Sequence, residues 1–381
     1  MQITGAVLET SGAEAPFART RPFTVGPLEL DPPEAGEILV RIEAAGICHS
    51  DLSVVDGNRR RPVPMLLGHE AAGIVEQLGA NVDDLAVGDR VVMTFLPRCG
   101  HCAGCATDGR LPCEVGTVAN NAGTLVGGGI RLHRQRPGDV SDSDADAEAV
   151  FHHLGVSGFA SHAVVSRTSV VPVPADVPAE IAALLGCAVL TGGGAVLNAG
   201  RPAAGERVTV VGLGGVGMAA LLVAVALGHE VVGVDAVASK LDLARRLGAA
   251  RALTPADALA QATDADGRAS VVIEAAGNAR AFETAFALTA PGGTTVTVGL
   301  PAPDARASVS PLTLTAEART VIGSYLGSAV PSRDIPRYIE LWRDGRLPLE
   351  KLVSSHVALT EIDAAMDRLA AGGELRQLIT F

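Results

Sequence analysis

Aromatic side chains are scarce in this 381-residue chain, at 3% of positions, so Ala, Val, Leu and Ile must fill its core. Basic residues are outnumbered, thirty against forty-two acidic, and the net charge of −12 disfavours non-specific nucleic-acid binding. No uninterrupted apolar run reaches membrane-spanning length with suitable flanks. The nearest, residues 216–227, is short and follows a glycine loop, as a buried helix would. Met1-Gln2-Ile3-Thr4-Gly5 lacks the basic and apolar regions of a signal peptide. Six cysteines are too few and too clustered for a secreted disulfide framework, and metal sites in a reducing cytoplasm explain them better. What is present is a large apolar fraction, 48%, in a chain long enough for two domains. A folded cytoplasmic protein with no membrane or nucleic-acid partner is the expectation.

The densest group of titratable residues lies between Gly46 and Ala72. It reads Gly46-Ile47-Cys48-His49-Ser50-Asp51 and, after a short helix and a basic loop, Gly68-His69-Glu70-Ala71-Ala72. Cys48 and His69 offer a thiolate and an imidazole, both good zinc ligands. Ser50 can pass a proton, and Asp51 and Glu70 supply carboxylates to orient a ligand. Either of the first two residues alone would read as a buried cysteine or an unrelated histidine. The density of polar groups, their glycine-rich flanks and a further cysteine downstream favour a metal.

Residues 1–45 alternate and turn like antiparallel β-structure, with a clear strand at Ile38-Leu39-Val40-Arg41-Ile42-Glu43. Residues 73–78 and 90–93 read as further strands of the same partly closed β-unit. Cys99, Cys102, Cys105 and Cys113 follow, with two, two and seven residues between them. Four such thiolates make a closed tetrahedral site of the structural zinc type. Their spacing alone leaves an iron–sulfur cluster open, and two disulfides conflict with a cytosolic chain. His101, inside the loop, reads as solvent-facing. From Gly116 to about Ala149 the chain reads as loop, with an acidic run between Asp139 and Glu148 as solvated surface. His152 and His153, as neighbours in a strand, would face opposite ways, which argues against both ligating one metal. A helix is expected over residues 178–185, and just past it Cys187, the remaining cysteine, is the natural third ligand beside Cys48 and His69.

The pattern then changes to alternating strands and helices. Arg207-Val208-Thr209-Val210-Val211 leads into Gly212-Leu213-Gly214-Gly215-Val216-Gly217 and a helix, and a second strand ends in Asp235. A glycine fingerprint set between strand and helix, with an acid about 20 residues on, reads as a dinucleotide site. The glycines admit the pyrophosphate to the helix N-terminus, and Asp235 suits the adenosine ribose hydroxyls while repelling a 2′-phosphate, favouring NAD over NADP. Strands at 271–274, 294–300 and 321–326 and helices at 240–247 and 281–288 complete an α/β, doubly wound unit. The tail, with helices near 335–342 and 361–370 and strands near 353–357 and 377–381, is expected to return to the first unit.

Over essentially its whole length the chain resembles the zinc-containing medium-chain alcohol dehydrogenases. The resemblance rests on Gly46 to Asp51, Gly68-His69-Glu70, the four-cysteine lobe, and Gly212 to Gly217 with Asp235. It implies a GroES-like catalytic domain at 1–188 with the zinc lobe at 97–115, a Rossmann domain at 189–326, and a return at 327–381. It implies a catalytic zinc on Cys48, His69 and Cys187 with Asp51 behind His69 and Glu70 near the metal, and a structural zinc in the lobe. Coenzyme contacts are expected from His49, Thr191, the Gly212 to Gly217 turn, Asp235, Lys240, Val298 and Arg376, the last pairing with the pyrophosphate. Phe95, His153, Leu154 and Leu300 match the substrate wall, mostly apolar with one polar side.

The implied reaction moves hydride between an alcohol, primary and aromatic or medium-chain, and NAD, with zinc stabilising the alkoxide and Ser50 relaying the proton. Ser53 stands where well-known members carry the histidine that ends this relay, so the relay ends in water or on His49. A homodimer is implied, with a tetramer as the alternative. The long segment after Cys113 resembles the branch of glutathione- and mycothiol-dependent formaldehyde dehydrogenases, making a thiol-adduct dehydrogenase the runner-up. Glu114-Val115-Gly116-Thr117 lacks the arginine of the glutathione-dependent members. A non-catalytic zinc- or NAD-binding scaffold predicts loss of a catalytic ligand, yet all three and Ser50 are present.

Overall fold

The computed structural model describes residues 1–134, 147–263 and 267–381. Most of the acidic run assigned to solvated surface, residues 139–146, lies outside the described residues.

The strand Glu37–Ile47 is buried along both faces except at Arg41 and Glu43, as befits a strand covered on each side. It anchors a seven-stranded sheet. Glu70–Leu78 pairs along its length, His162–Ser166 along its first half, and Arg376–Thr380 along its second. Arg90–Met93, Val170–Val173 and Val353–Val357 extend the sheet outwards. Beside it, Gln2–Leu8, Phe23–Leu30, Leu132–Arg134, Glu148–His152 and Met65–Leu66 close into a barrel. Two of those strands and the helix Glu114–Ala122 correct the expectation of a loop over 116–149. Cys113 starts that helix as its N-cap, where its sulfur accepts the Gly116 N–H and a signal more familiar from Ser or Asp is hidden.

The second sheet has six parallel strands in the order Arg251–Leu253, Glu230–Val234, Arg207–Val211, Ala269–Glu274, Thr289–Thr297, Thr320–Gly323. The order reverses between Arg207–Val211 and Ala269–Glu274, and ligands of such sheets bind beyond the strand ends at that point. Two strands end sooner than the sequence suggests: Val298 and Leu300 lie past Thr297, and the segment after Gly323 turns, with Leu326 at φ 51°.

A continuous helix, Ala179–Gly200, joins the two sheets, mixing α turns with π turns at Leu185–Val189 and Ala195–Gly200. It runs far past the expected end near Leu185. It is also the longest apolar helix, displacing residues 216–227 as the nearest membrane-length candidate, but 89% of its apolar window is buried inside the protein. Side chains from both sheets and this helix share one core that includes Ala44, Cys48, Cys187, Val208 and Met218.

Candidate active site

Strand register brings the first ligands together. Gly46 pairs with Glu70 and Ile47 with Gln377, so Cys48 leaves one strand as His69 enters the next, with Arg376 alongside. Cys187 is delivered from the other side by a π turn of the long helix. The metal-binding atoms of Cys48, His69 and Cys187 lie within 4.8 Å of one another, and all three residues are buried. His69 Nε2 is 3.3 Å from Cys187 Sγ. A tetrahedral zinc with bonds of about 2.0–2.3 Å sets its ligand atoms roughly 3.5–3.8 Å apart, so the trio fits that ion.

Fully buried Asp51 receives the His69 Nδ1 at 2.9 Å and the Cys48 backbone N–H at 3.0 Å. Burial alone would raise the Asp51 carboxyl, but the His69 charge and the bonds from His153 and His69 outweigh it and hold it well below the usual range. The same partnership lifts His69 well above an ordinary histidine against the opposing effect of burial. Cys48 is drawn well below a normal thiol chiefly by the thiol of Cys187, which is raised in turn. Behind them, Arg376 Nε lies 2.9 Å from Glu70 Oε1, although neither atom is aligned for a hydrogen bond. Burial nevertheless raises the Glu70 carboxyl, with Arg376 opposing. Arg376 Nη2 also reaches Cys48 Sγ at 3.5 Å.

The lobe forms a second group. Cys99 Sγ is 4.0 Å from Cys105 Sγ and Cys102 Sγ is 3.9 Å from Cys113 Sγ, close to the roughly 3.8 Å edge of a sulfur tetrahedron around zinc. Backbone N–H groups of Cys99 and Gly116 point at Cys113 Sγ, and that of Cys105 at Cys102 Sγ, as thiolates require. His101 is exposed, its Nδ1 2.8 Å from the Cys99 carbonyl. No disulfide links any of the six cysteines.

Two cavities adjoin at Ser50, Arg59 and Leu300, one bordered by Cys48 and the other by His69. The larger, about 440 Å³, runs from Asp235 and Lys240 past Gly212, Gly214, Gly215 and Val216 to Cys48, His49 and Ser50. A Cβ on Gly214 would meet nothing within 4 Å, whereas Gly212, at φ +92°, could carry none because the Ala276 backbone lies 2.6 Å away. The turn thus leaves backbone open to a bulky anion, as a pyrophosphate cradle must. Asp235 accepts the N–H groups of Leu213 and Val237 at 2.7 and 2.9 Å. Val298, Leu300 and Arg376 line the same cleft, but Thr191, Leu213 and Gly217 do not. Thr191 is buried in the long helix, and Gly217 packs under the Gly212 carbonyl.

The smaller cavity, about 30 Å³, is lined by Ser50, His69, Phe95, His153, Leu154 and Leu300, and also by Val54, Arg59, Arg61 and Tyr325. Leu300 is 48% exposed and borders both spaces. His153 turns Nδ1 toward Asp51 at 3.3 Å, and burial lowers its pKa. Beside the expected Phe95, Leu154, Leu300 and His153, the wall thus carries two cations that the sequence reading did not assign to it. The basic run Arg59-Arg60-Arg61 was the signal for them.

A metal-binding trio where a dinucleotide cleft meets a second cavity defines a metal-assisted oxidoreductase. Family profiles agree. "Alcohol dehydrogenase GroES-like domain" matches residues 34–175, and "Zinc-binding dehydrogenase" matches 215–344. A Mycobacterium tuberculosis chain provisionally named alcohol dehydrogenase D is 36% identical over 388 residues, covering 100% of both chains. The NDMA-dependent alcohol dehydrogenase of Amycolatopsis methanolica is 34% identical, covering 100% of this chain and 99% of its own. The benzyl alcohol dehydrogenase structure from Acinetobacter calcoaceticus superposes with a TM-score of 0.87 at 31% identity, over 100% of this chain and 99% of that one. This chain belongs to the zinc-containing medium-chain alcohol dehydrogenase family, with its GroES-like and Rossmann folds, and is an enzyme of zinc-dependent alcohol oxidation and reduction.

Proposed function

We propose that the enzyme oxidises a primary alcohol, aromatic or medium-chain, with NAD as acceptor. The observation that carries this reading is Ser50, which lines both cavities beside the candidate ligands Cys48 and His69. Of the residues shared by both cavities, Ser50 is the one next in sequence to the Cys48-His49 pair, so a donor alcohol and a nicotinamide meeting there would lie beside the metal ligands.

When bound, zinc supplies Lewis acidity that eases loss of the hydroxyl proton, and NAD supplies the hydride acceptor. Cys48, His69 and Cys187 hold the first metal, and the lobe cysteines a second. Asp51 accepts a hydrogen bond from the His69 Nδ1–H and so leaves Nε2 free as a ligand. Ser50 receives the substrate proton while its own hydroxyl proton passes onward. Ser53 hands its own hydroxyl to the His49 carbonyl at 2.7 Å, so the path continues to exposed His49 or to water. Asp235 orients the adenosine ribose, with Lys240 nearby, and the glycine turn and Arg376 receive the pyrophosphate. Burial of the Phe95 and Leu154 side chains keeps bulk water from the metal side.

The domain division at 188/189 and 326/327, a cytoplasmic location and a homodimer belong to the same reading. The uncovered strand Thr320–Gly323, largely exposed, supports the dimer as an edge suited to pairing. The relatives reported above are alcohol dehydrogenases, which does not favour a thiol-adduct reaction. The test is NADH formation across aliphatic and aromatic alcohols and across formaldehyde with and without low-molecular-weight thiols, alongside zinc analysis. Turnover of free alcohols with NAD, little with NADP, and two zincs per chain are expected. Activity only with thiol and formaldehyde together would sink the reading.

A further inference from the structure

The smaller cavity holds charge that the proposed reaction does not use. Arg59 and Arg61 both line it, and no carboxylate among the described residues does. Elsewhere in this acidic chain arginines find acids: Arg41 meets Glu76, Arg134 meets Glu9, and Arg167 meets Asp84. Arg59 has no ion pair among the described residues. Arg61 spends Nη1 on the Asn120 carbonyl and Asn121 Oδ1, both at 2.9 Å, while its Nε is buried with no partner. Burial lowers the Arg61 pKa, and the Arg59 charge lowers it further against an opposing contribution from Tyr325. Asp56 borders the coenzyme cleft, as Arg59 also does, but it accepts from Asn58 N and Nδ2 at 2.9 and 2.8 Å and lines none of the smaller cavity.

A buried guanidinium N–H left without an acceptor is costly, and the acceptor that best matches its fork is a carboxylate. The geometry gives such a group a fixed place. Phe95 stands edge-on between His69 and Tyr325, its ring centroid 5.6 Å from one and 5.7 Å from the other. An apolar spacer joining a carboxylate to the reacting end would lie along Phe95, between the arginines and His69 with Ser50, and the cavity of about 30 Å³ must open to take it. Leu300, exposed and shared with the coenzyme cleft, is the lining side chain with room to shift.

We propose that this cavity selects alcohols whose far end bears a carboxylate, held by Arg59 and Arg61 while the hydroxymethyl end lies at Cys48, His69 and Cys187. The inference rests on the alcohol oxidation proposed above. Both arginines are specificity-determining residues.

The zinc-loaded full-length enzyme is assayed with NAD against 4-(hydroxymethyl)benzoate and 4-methylbenzyl alcohol, which differ only at the far end of the ring. The kcat/KM ratio is expected to favour the carboxylated alcohol by about tenfold or more at low salt, the scale of a charged hydrogen bond. Arg61→Gln and Arg59→Gln should each cut that ratio about tenfold. A ratio at or below unity, or one that neither variant moves, overturns the proposal while leaving alcohol oxidation intact. Arg59 borders both cavities, so its variant is also assayed for coenzyme KM. A raised coenzyme KM with no change of ratio in Arg61→Gln would give Arg59 to the coenzyme phosphates and overturn the pair. Should Arg61→Gln misfold through loss of its asparagine contacts, Arg59→Gln still decides. If neither alcohol turns over, the oxidation reading fails on its own, and calorimetry with 4-methylbenzoate judges the cavity. Binding weakened about tenfold by the variants sustains the proposal, and equal binding overturns it.

Discussion

Asp51 faces two histidines and acts through both. It takes the Nδ1 of His69 at 2.9 Å and lies 3.3 Å from that of His153, yet it is fully buried and borders neither cavity. Asp51→Asn keeps the shape but removes the charge and offers the wrong partner to His69 Nδ1. Zinc affinity is expected to fall about 10–100-fold, read by competition with a chelator. Unchanged affinity would mean that the carboxylate does not set the tautomer. His152, next in sequence to His153, behaves differently. Its Nε2 accepts the Arg131 N–H at 3.1 Å, so the buried ring is neutral. Burial first, then Arg131 and His133, push its pKa down to about 3. An unfolded histidine titrates near 6.5, so the unfolded chain binds the extra proton as pH falls from about 6.5 to about 3. The stability contributed is complete above that window and is lost within it, at up to about 1.4 kcal/mol per pH unit. Urea unfolding of wild type and His152→Gln near pH 7.5 and near pH 5 checks this, and parallel losses in the two would refute it. At this scale the sequence was legible where chemistry is carried by residue type. Cys48, His69 and Cys187 are brought together, but Arg59, Arg61 and Tyr325 converge from segments about 270 residues apart, and no local spacing announces that.

At the scale of elements, the long helix Ala179–Gly200 shows why sequence reading stopped short. Glycine inside a helix costs roughly 1 kcal/mol relative to alanine, so Gly186 and the Gly192-Gly193-Gly194 run read as breakers. Here they are contact points. A Cβ on Gly186 would lie 2.1 Å from the Met93 carbonyl, one on Gly192 2.3 Å from that of Val216, and one on Gly194 2.3 Å from that of Gly327. These close approaches pack the helix against the strand Arg90–Met93, the helix Gly215–Ala226 and the turn at Gly327, and the tertiary contact outweighs the local propensity. The dinucleotide turn was legible for the opposite reason, since its glycines answer a local backbone demand that any strand-turn-helix of this kind makes. Gly192→Ala, with backbone in the way, should destabilise by about 1–3 kcal/mol as an overpacked core. Because the helix also carries Cys187, coenzyme and zinc binding should weaken with it. Chemical denaturation and zinc content measured together test the link. A variant with full stability would show that the helix can shift at no cost.

For the whole molecule, β-pairing explains how a tail 330 residues downstream joins the first sheet. Arg376–Thr380 pairs antiparallel with Glu37–Ile47, which sets Arg376 beside Cys48. That the tail returns there was readable from its strand pattern; that its arginine would meet Glu70 was not. The cysteine lobe makes a similar long-range connection. Asp108, at its tip, pairs with Arg333 at 2.8 Å, and Gly109 sits so close to the Ser328 carbonyl that a Cβ would lie 2.3 Å away. Ser328 is three residues from Tyr325, which lines the smaller cavity. The lobe therefore touches the segment that carries Tyr325, and a metal that orders the lobe is expected to steady that wall as well. Cys99→Ser is expected to leave one zinc per chain, lower the melting temperature by several degrees and raise KM for the alcohol more than it lowers kcat. Metal analysis, thermal unfolding and steady-state kinetics on the same preparation separate the possibilities. A stability loss with KM untouched would confine the lobe to its own fold, whereas a coupled rise would place the wall bearing Tyr325 under its control.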